Sequence, residues 1–135
     1  MTDPVTDAAA RQAQEDPFLR ACVRCMLWSE NDESDPETGG SPLDDNYWFE
    51  DVHATAVLRL AKDCQQFQTE CAEDLLGLDE EQCGHDFWLS RNGHGAGFFD
   101  RDLGDRGDRL QEAAERFGNL TPYVAEGTIY FLEVQ

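Results

Sequence analysis

Residues 86–101 read DFWLSRNGHGAGFFDR, from Asp86 to Arg101. The dipeptide Asn92-Gly93 sits between two short apolar runs. Asn-Gly readily adopts the positive φ angles of a tight turn, so this spacing predicts a hairpin with strands over 86–91 and 96–100. That reading places a sheet in the chain and sets the fold class. Downstream, Leu103, Gly107, Leu110, Ala114 and Phe117 form one helical stripe, and Gly118 ends it. The last segment, TPYVAEGTIYFLEV, predicts two strands over 122–125 and 128–134, turning at Glu126-Gly127.

Upstream, Val52, Ala56, Leu60, Cys64, Phe67, Cys71 and Leu75 recur every three or four residues. With Tyr47, Trp48 and Phe49 in front and Gly77 behind, they predict one helix over 47–76. Leu78 to Cys83 reads as one short helical turn. Residues 30–46 are acidic and rich in Gly, Pro and Ser, which predicts a long loop. Asp16-Pro17 is a helix start, and the stripe from Phe18 to Leu27 predicts a helix over 17–29. Residues 1–16 carry no sustained apolar period and read as mobile. The expected architecture is one α+β domain over 1–135. Two N-terminal helices come first, then a β-hairpin, a helix and two more strands in a small, mainly antiparallel sheet.

Twenty-nine acids face ten bases, for a net charge of −19. Residues 1–86 hold 21 acids and 5 bases, and residues 87–135 hold 8 and 5. The excess therefore lies in the first two-thirds of the chain. A surface of this sign repels nucleic acid and anionic membranes, and it attracts basic grooves built for phosphates. The same composition suits a halophilic protein, since Lys62 is the only lysine against nine arginines. The polar N-terminus and the odd set of five cysteines predict free thiols in the cytoplasm.

Four groups of residues are candidate sites. Cys22-Val-Arg-Cys25 has metal or redox spacing, with Cys83 and His85 as a possible second pair, but it also lies on an apolar helical face. Arg91, Asn92 and His94, in a glycine-rich turn, suit partner binding at a hairpin tip. With Asp100 they also suit phosphodiester or nucleotide chemistry. Asp100, Asp102, Asp105 and Asp108 lack the Gly and Glu positions of a calcium loop and alternate with arginines. The fourth group is acidic. One cluster holds Asp32, Glu33, Asp35, Glu37, Asp44, Asp45, Glu50 and Asp51, with Tyr47 and Trp48 beside it as aromatic anchors. The other holds Glu70, Glu73, Asp74, Asp79, Glu80, Glu81 and Asp86.

The segment 86–101 resembles a D-F-W-L-[ST]-R-N-G-H-G-A-G-F-[FW]-D-R core found in a family of small bacteriophage and prophage proteins. The family continues with an L-x-x-A-A-x-x-F-G helix end and a Y-V…I-Y-F finish. Leu110, Ala113, Ala114, Phe117, Gly118, Tyr123, Val124, Ile129, Tyr130 and Phe131 stand at those positions. The resemblance covers residues 86–135 and implies a phage origin. Small acidic phage proteins are often anti-restriction or anti-CRISPR inhibitors that imitate DNA. The leading expectation is therefore a non-enzymatic inhibitor without a cofactor. Its partner would be a basic host protein or ribonucleoprotein that binds nucleic acid, met in the host cytoplasm. The alternatives are a small phosphodiester- or nucleotide-processing enzyme using the Arg91–His94 loop, and an acidic structural or interaction protein of a phage or a halophile.

Overall fold

The computed structural model describes residues 3–34 and 40–132. The chain is α+β, with more helix than the sequence predicts. Helix α1 spans Pro4–Ala13 and α2 spans Pro17–Ser29. Short strands β1 (Asn31–Asp32) and β2 (Ser41–Pro42) pair antiparallel. Two single 3-10 turns follow, Leu43–Asp45 and Phe49–Asp51. Next come α3 (Ala54–Glu70), the one-turn α4 (Ala72–Leu75) and α5 (Glu80–Arg91). A 3-10 turn at Phe98–Asp100 leads to α6 (Asp105–Glu115). Strands β3 (Thr121–Ala125) and β4 (Thr128–Leu132) close the described chain as an antiparallel hairpin. Glu126 and Gly127 both take positive φ, as a two-residue hairpin turn demands. The expected last residues of this strand, 133 and 134, lie outside the described residues.

The hairpin expected at 86–100 is instead a helix and a loop. Helix α5 starts at Asp79, whose Oδ2 accepts the Gln82 backbone N–H at 2.9 Å. It ends at Asn92, with Gly93 at φ +65°. Asn-Gly here is a helix C-cap, which uses the same positive φ as a hairpin turn. The helix is buried from Asp86 to Arg91 without a break. A helix enclosed on every side has no polar face, so it shows no 3.6-residue period.

Three further differences have local causes. Residues expected to be mobile at the N-terminus form α1, with the Asp3 carboxylate capping Thr6 N–H at 2.8 Å and Ala10 buried in the core. The helix expected from Tyr47 starts at Ala54, because Val52 bridges Ile129 and His53 N–H donates to Ile129 C=O at 2.9 Å. It also breaks at Cys71, and the chain turns at Gly77 with φ +82°. The loop expected over 30–46 contains β1, β2 and a 3-10 turn, apart from residues 35–39, which are not described.

Helices α2 and α5 run parallel in the centre. Asp16 meets Glu80 at their N-terminal end, and Glu30 meets Trp88 at their C-terminal end. Gly84 makes the contact possible, since a Cβ there would overlap the Phe18 carbonyl oxygen. Around this pair lies an aromatic core. Phe67 of α3 has Phe87, Phe98, Phe18 and Phe117 at ring-centroid distances of 4.5, 5.6, 6.1 and 6.1 Å.

Arg91 ties the outer elements to this core. It is 2% exposed. Its Nη1 donates to Asp63 of α3 at 2.8 Å, Nε to the Gly118 carbonyl at 2.9 Å and Nη2 to the Phe117 carbonyl at 3.2 Å. The guanidinium lies over the Phe87 and Phe117 rings at 5.5 and 5.8 Å. A planar five-donor fork fits this site, and an ammonium does not. Replacing Arg91 by Met should therefore cost about 3–5 kcal/mol, because two carbonyls lose their donor and Asp63 keeps only the part-exposed Arg59. Lysine should restore less than half of that loss. Urea unfolding of both variants measures it, and a loss below about 1 kcal/mol, the range of an exposed pair, would contradict the assignment.

All five thiols are free and buried. Burial pushes Cys22 and Cys25 far above the ordinary thiol value of 9.0, and Cys83 up to about 11. Folding therefore disfavours the thiolates. Their contribution to stability is complete below the ordinary value and is lost as pH rises from there through the folded values. The slope approaches about 1.4 kcal/mol per pH unit for each fully buried thiol. Melting temperature should be flat to about pH 8.5 and fall by about pH 10, and a flat profile would contradict burial of the thiols.

Candidate interaction surface

The polar side chains of the 86–101 segment make contacts within the protein, with Asp86, Ser90 and Arg91 buried and His94, Asp100 and Arg101 exposed. Asp86 is 2% exposed, and Arg101 clasps it with Nε at 3.1 Å and Nη2 at 2.8 Å. It belongs to a buried ion pair rather than to the exposed acids expected around it. Ser90 Oγ accepts the Phe98 backbone N–H at 3.2 Å and donates to Gln111 Oε1 at 2.7 Å. Asn92 Oδ1 accepts Leu120 N–H at 2.8 Å, while its Nδ2 donates to the Trp88 carbonyl at 3.1 Å. His94 Nε2 lies 2.6 Å from Glu30 Oε2, which also accepts Trp88 Nε1–H at 3.1 Å. Asp100 accepts the Gly97 N–H at 3.1 Å.

This arrangement corrects the hairpin-tip reading of Arg91 and Asn92. Arg91 points inward and offers no donor at the surface. Asn92 is half-buried and fastens β3 to α5. His94 alone of the three stays exposed, docked on the end of α2. Arg91, His94 and Asp100 bond different partners: Asp63 and two carbonyls, Glu30, and the Gly97 N–H. Cys22 and Cys25 are core residues of α2. Among the described residues, no group of three or more His, Cys, Asp or Glu is placed to hold a metal ion.

The acidic clusters have a different character. Asp35 and Glu37 lie outside the described residues. Glu33, Asp44, Asp45 and Glu50 are exposed. The Ser34 hydroxyl, together with the Ser34 N–H that Asp32 accepts at 2.9 Å, holds the Asp32 carboxyl below the usual range. It also faces the Tyr47 hydroxyl, which burial and this carboxylate together push up. Asp51 caps Trp48 N–H at 2.8 Å. Tyr47 is half-buried against the core, whereas Trp48 is 45% exposed and lies edge-on to Phe49.

In the second cluster, Arg109 clasps Asp74 with Nε at 3.0 Å and Nη2 at 2.8 Å and lowers its carboxyl. Glu70 accepts from Gln66 at 3.3 Å. Glu73, Asp79, Glu80 and Glu81 are exposed. Asp79, Glu80 and Glu81 stand at the positive end of the α5 dipole, which gives them a structural role too. Burial and the Asp16 carboxylate raise the carboxyl of Glu80. Of the clustered acids that are described, Asp74 and Asp86 pair with an arginine.

Helix α2 relates the two clusters. Leu43 N–H donates to the Glu30 carbonyl, which sets Asp44 and Asp45 at its C-terminal end. Asp16 meets Glu80 at its N-terminal end. Thirteen residues of helix span about 20 Å. Over that length a DNA duplex carries about 12 phosphate charges. Comparison with protein-family models, with curated proteins and with solved structures found no match.

Gly97 tests the internal role of the segment. Its φ is +144°, and a Cβ there would overlap Ser90 Oγ. Gly97→Ala should cost about 3 kcal/mol or more, from strain and overlap together. Gly93, at φ +65° with open space around it, should cost about 1 kcal/mol. Equal costs, measured by thermal unfolding, would contradict the packing described.

Proposed function

We propose that the protein binds the cationic groove of a nucleic-acid-binding host protein or ribonucleoprotein and blocks it by imitating DNA. The observation that carries this reading is the contrast between the two classes of charged residue. Arginines that fold the domain meet buried carboxylates such as Asp63 and Asp86, while Glu33, Asp44, Asp45, Glu50, Glu73 and Glu81 stand exposed. Carboxylates turned outward cost stability through mutual repulsion, and a cationic partner relieves that repulsion. Such an interface associates fast and weakens steeply with salt. The resemblance of residues 86–135 to phage proteins supports a role against host defence, with a CRISPR effector or a restriction enzyme as the target class. Trp48, exposed beside Glu50, would supply an apolar anchor at the rim.

The test is capture from host lysate at low salt, followed by elution with duplex DNA. The expected result is one nucleic-acid-binding complex, released by DNA and inhibited by the pure protein. A variant with Asp44, Asp45 and Glu50 changed to Lys should lose at least about tenfold in affinity with its circular dichroism unchanged. Undiminished inhibition by that variant, together with one carrying Glu73 and Glu81 as Lys, would overturn the reading.

A further inference from the structure

We infer that the groove between the α3–α5 connection and the start of α2 docks a basic, leucine-bearing segment of a protein partner. The groove is a run of adjoining cavities. One of about 390 Å³ lies beside Asp16 and Gln68. It meets, at Gln68, a second of about 320 Å³ lined by Phe18, Leu75, Leu76, Leu78 and Glu80. That cavity in turn meets a third of about 270 Å³ at Leu78 and Cys83. Its middle is apolar, and Leu76 there is 76% exposed, the second most exposed of the large apolar side chains in the described residues.

Charge selects the occupant. Glu80 lines the central cavity and Asp16 the cavity beside it, and the two carboxyl groups interact. Asp16 accepts Phe18 N–H at 3.1 Å and Gln68 Nε2 at 3.3 Å. Among the described residues no Lys or Arg forms an ion pair with either carboxylate. Of the arginines around the groove, Arg106 bonds the Leu76 carbonyl at 3.2 Å, Arg109 bonds Asp74 and Arg101 bonds Asp86, while Arg20 lies over the Phe49 ring and Arg24 lines a separate cavity with Asp79 and Glu81. Burial first, and then the Asp16 carboxylate, raise the carboxyl of Glu80. A lysine or arginine seated between them relieves that repulsion. An apolar side chain one helical turn away on the same segment then reaches Leu75, Leu76 and Leu78. A neutral apolar segment would leave the carboxylates uncompensated, and a second copy of this acidic chain would add to them.

This inference rests on the reading of a cationic protein partner and specifies how one end of it would be held. The probes are two synthetic peptides of equal charge, one with Lys and Leu at helical spacing and one with Ser in place of each Leu. Each is titrated into the isotope-labelled full chain and followed by amide shifts. The Leu peptide should bind at least about tenfold more tightly, with shifts concentrated at Gln68, Leu75–Leu78 and Glu80. Leu76→Ser, a change at an exposed position, should remove that preference, and Glu80→Gln should weaken both peptides. Equal binding with shifts spread over both acidic clusters would overturn the groove and leave the charge-based reading standing. Failure of both peptides to bind would also overturn it, while the charge-reversal experiment decides the larger reading separately.

Discussion

The fold depends on one buried cation. Arg91 sits where α3, α5 and the end of α6 converge, and its three guanidinium nitrogens each donate to a different element or carbonyl. Burying a charge is tolerable only when its donors and its countercharge are supplied together. Asp63 supplies the countercharge, and Arg59 meets the same carboxylate oxygen at 2.6 Å. The Phe87 and Phe117 rings cover the guanidinium and exclude water from the pairs. The turn at Gly118, and with it the path of the chain into β3, follows from this contact.

The same logic runs along the whole 86–101 segment. Ser90, Asn92 and Asp100 each satisfy a backbone N–H that no helix or strand satisfies. These contacts fold the loop after α5 back on α5 and fix β3 against it. A string rich in Arg, Asn, His and Asp, which reads as a site of chemistry, is thereby occupied in holding the domain together. The outer carboxylates of the two clusters face solvent. Their repulsion weakens the isolated fold, and the interior ion pairs and the five-phenylalanine core oppose it.

How much was legible in the sequence follows from which signals were local. Helix α2 was legible because Asp16-Pro17 and an unbroken apolar stripe agree. So were α6 and the last hairpin, where Gly118 and Glu126-Gly127 mark the turns. Helix α5 was not, because its enclosure erases the polar face that periodicity detects, and Asn-Gly serves helix ends and hairpins alike. A signal was present in Asp79-Glu-Glu-Gln82, the spacing of an N-cap with a glutamine at its third position. The role of Asp63 was also readable in principle, since it stands three residues after Leu60 on the buried stripe of α3. The engagement of Arg91 was not readable, because its partners lie 28, 27 and 26 residues away along the chain. For the acidic clusters, the sequence showed their existence, and helix packing determined their placement at the two ends of α2.

The most direct measurement of the central claim is native-state hydrogen exchange at two amides, Phe98 and Leu120. Each N–H is bonded by one side chain of the segment, Ser90 Oγ at 3.2 Å and Asn92 Oδ1 at 2.8 Å. If the segment is a structural latch, both amides exchange only with global unfolding, at the same free energy as the amides at the centre of α5. Exchange through a local opening several kcal/mol below that free energy would mean that the loop moves independently of the core, and the latch would be contradicted.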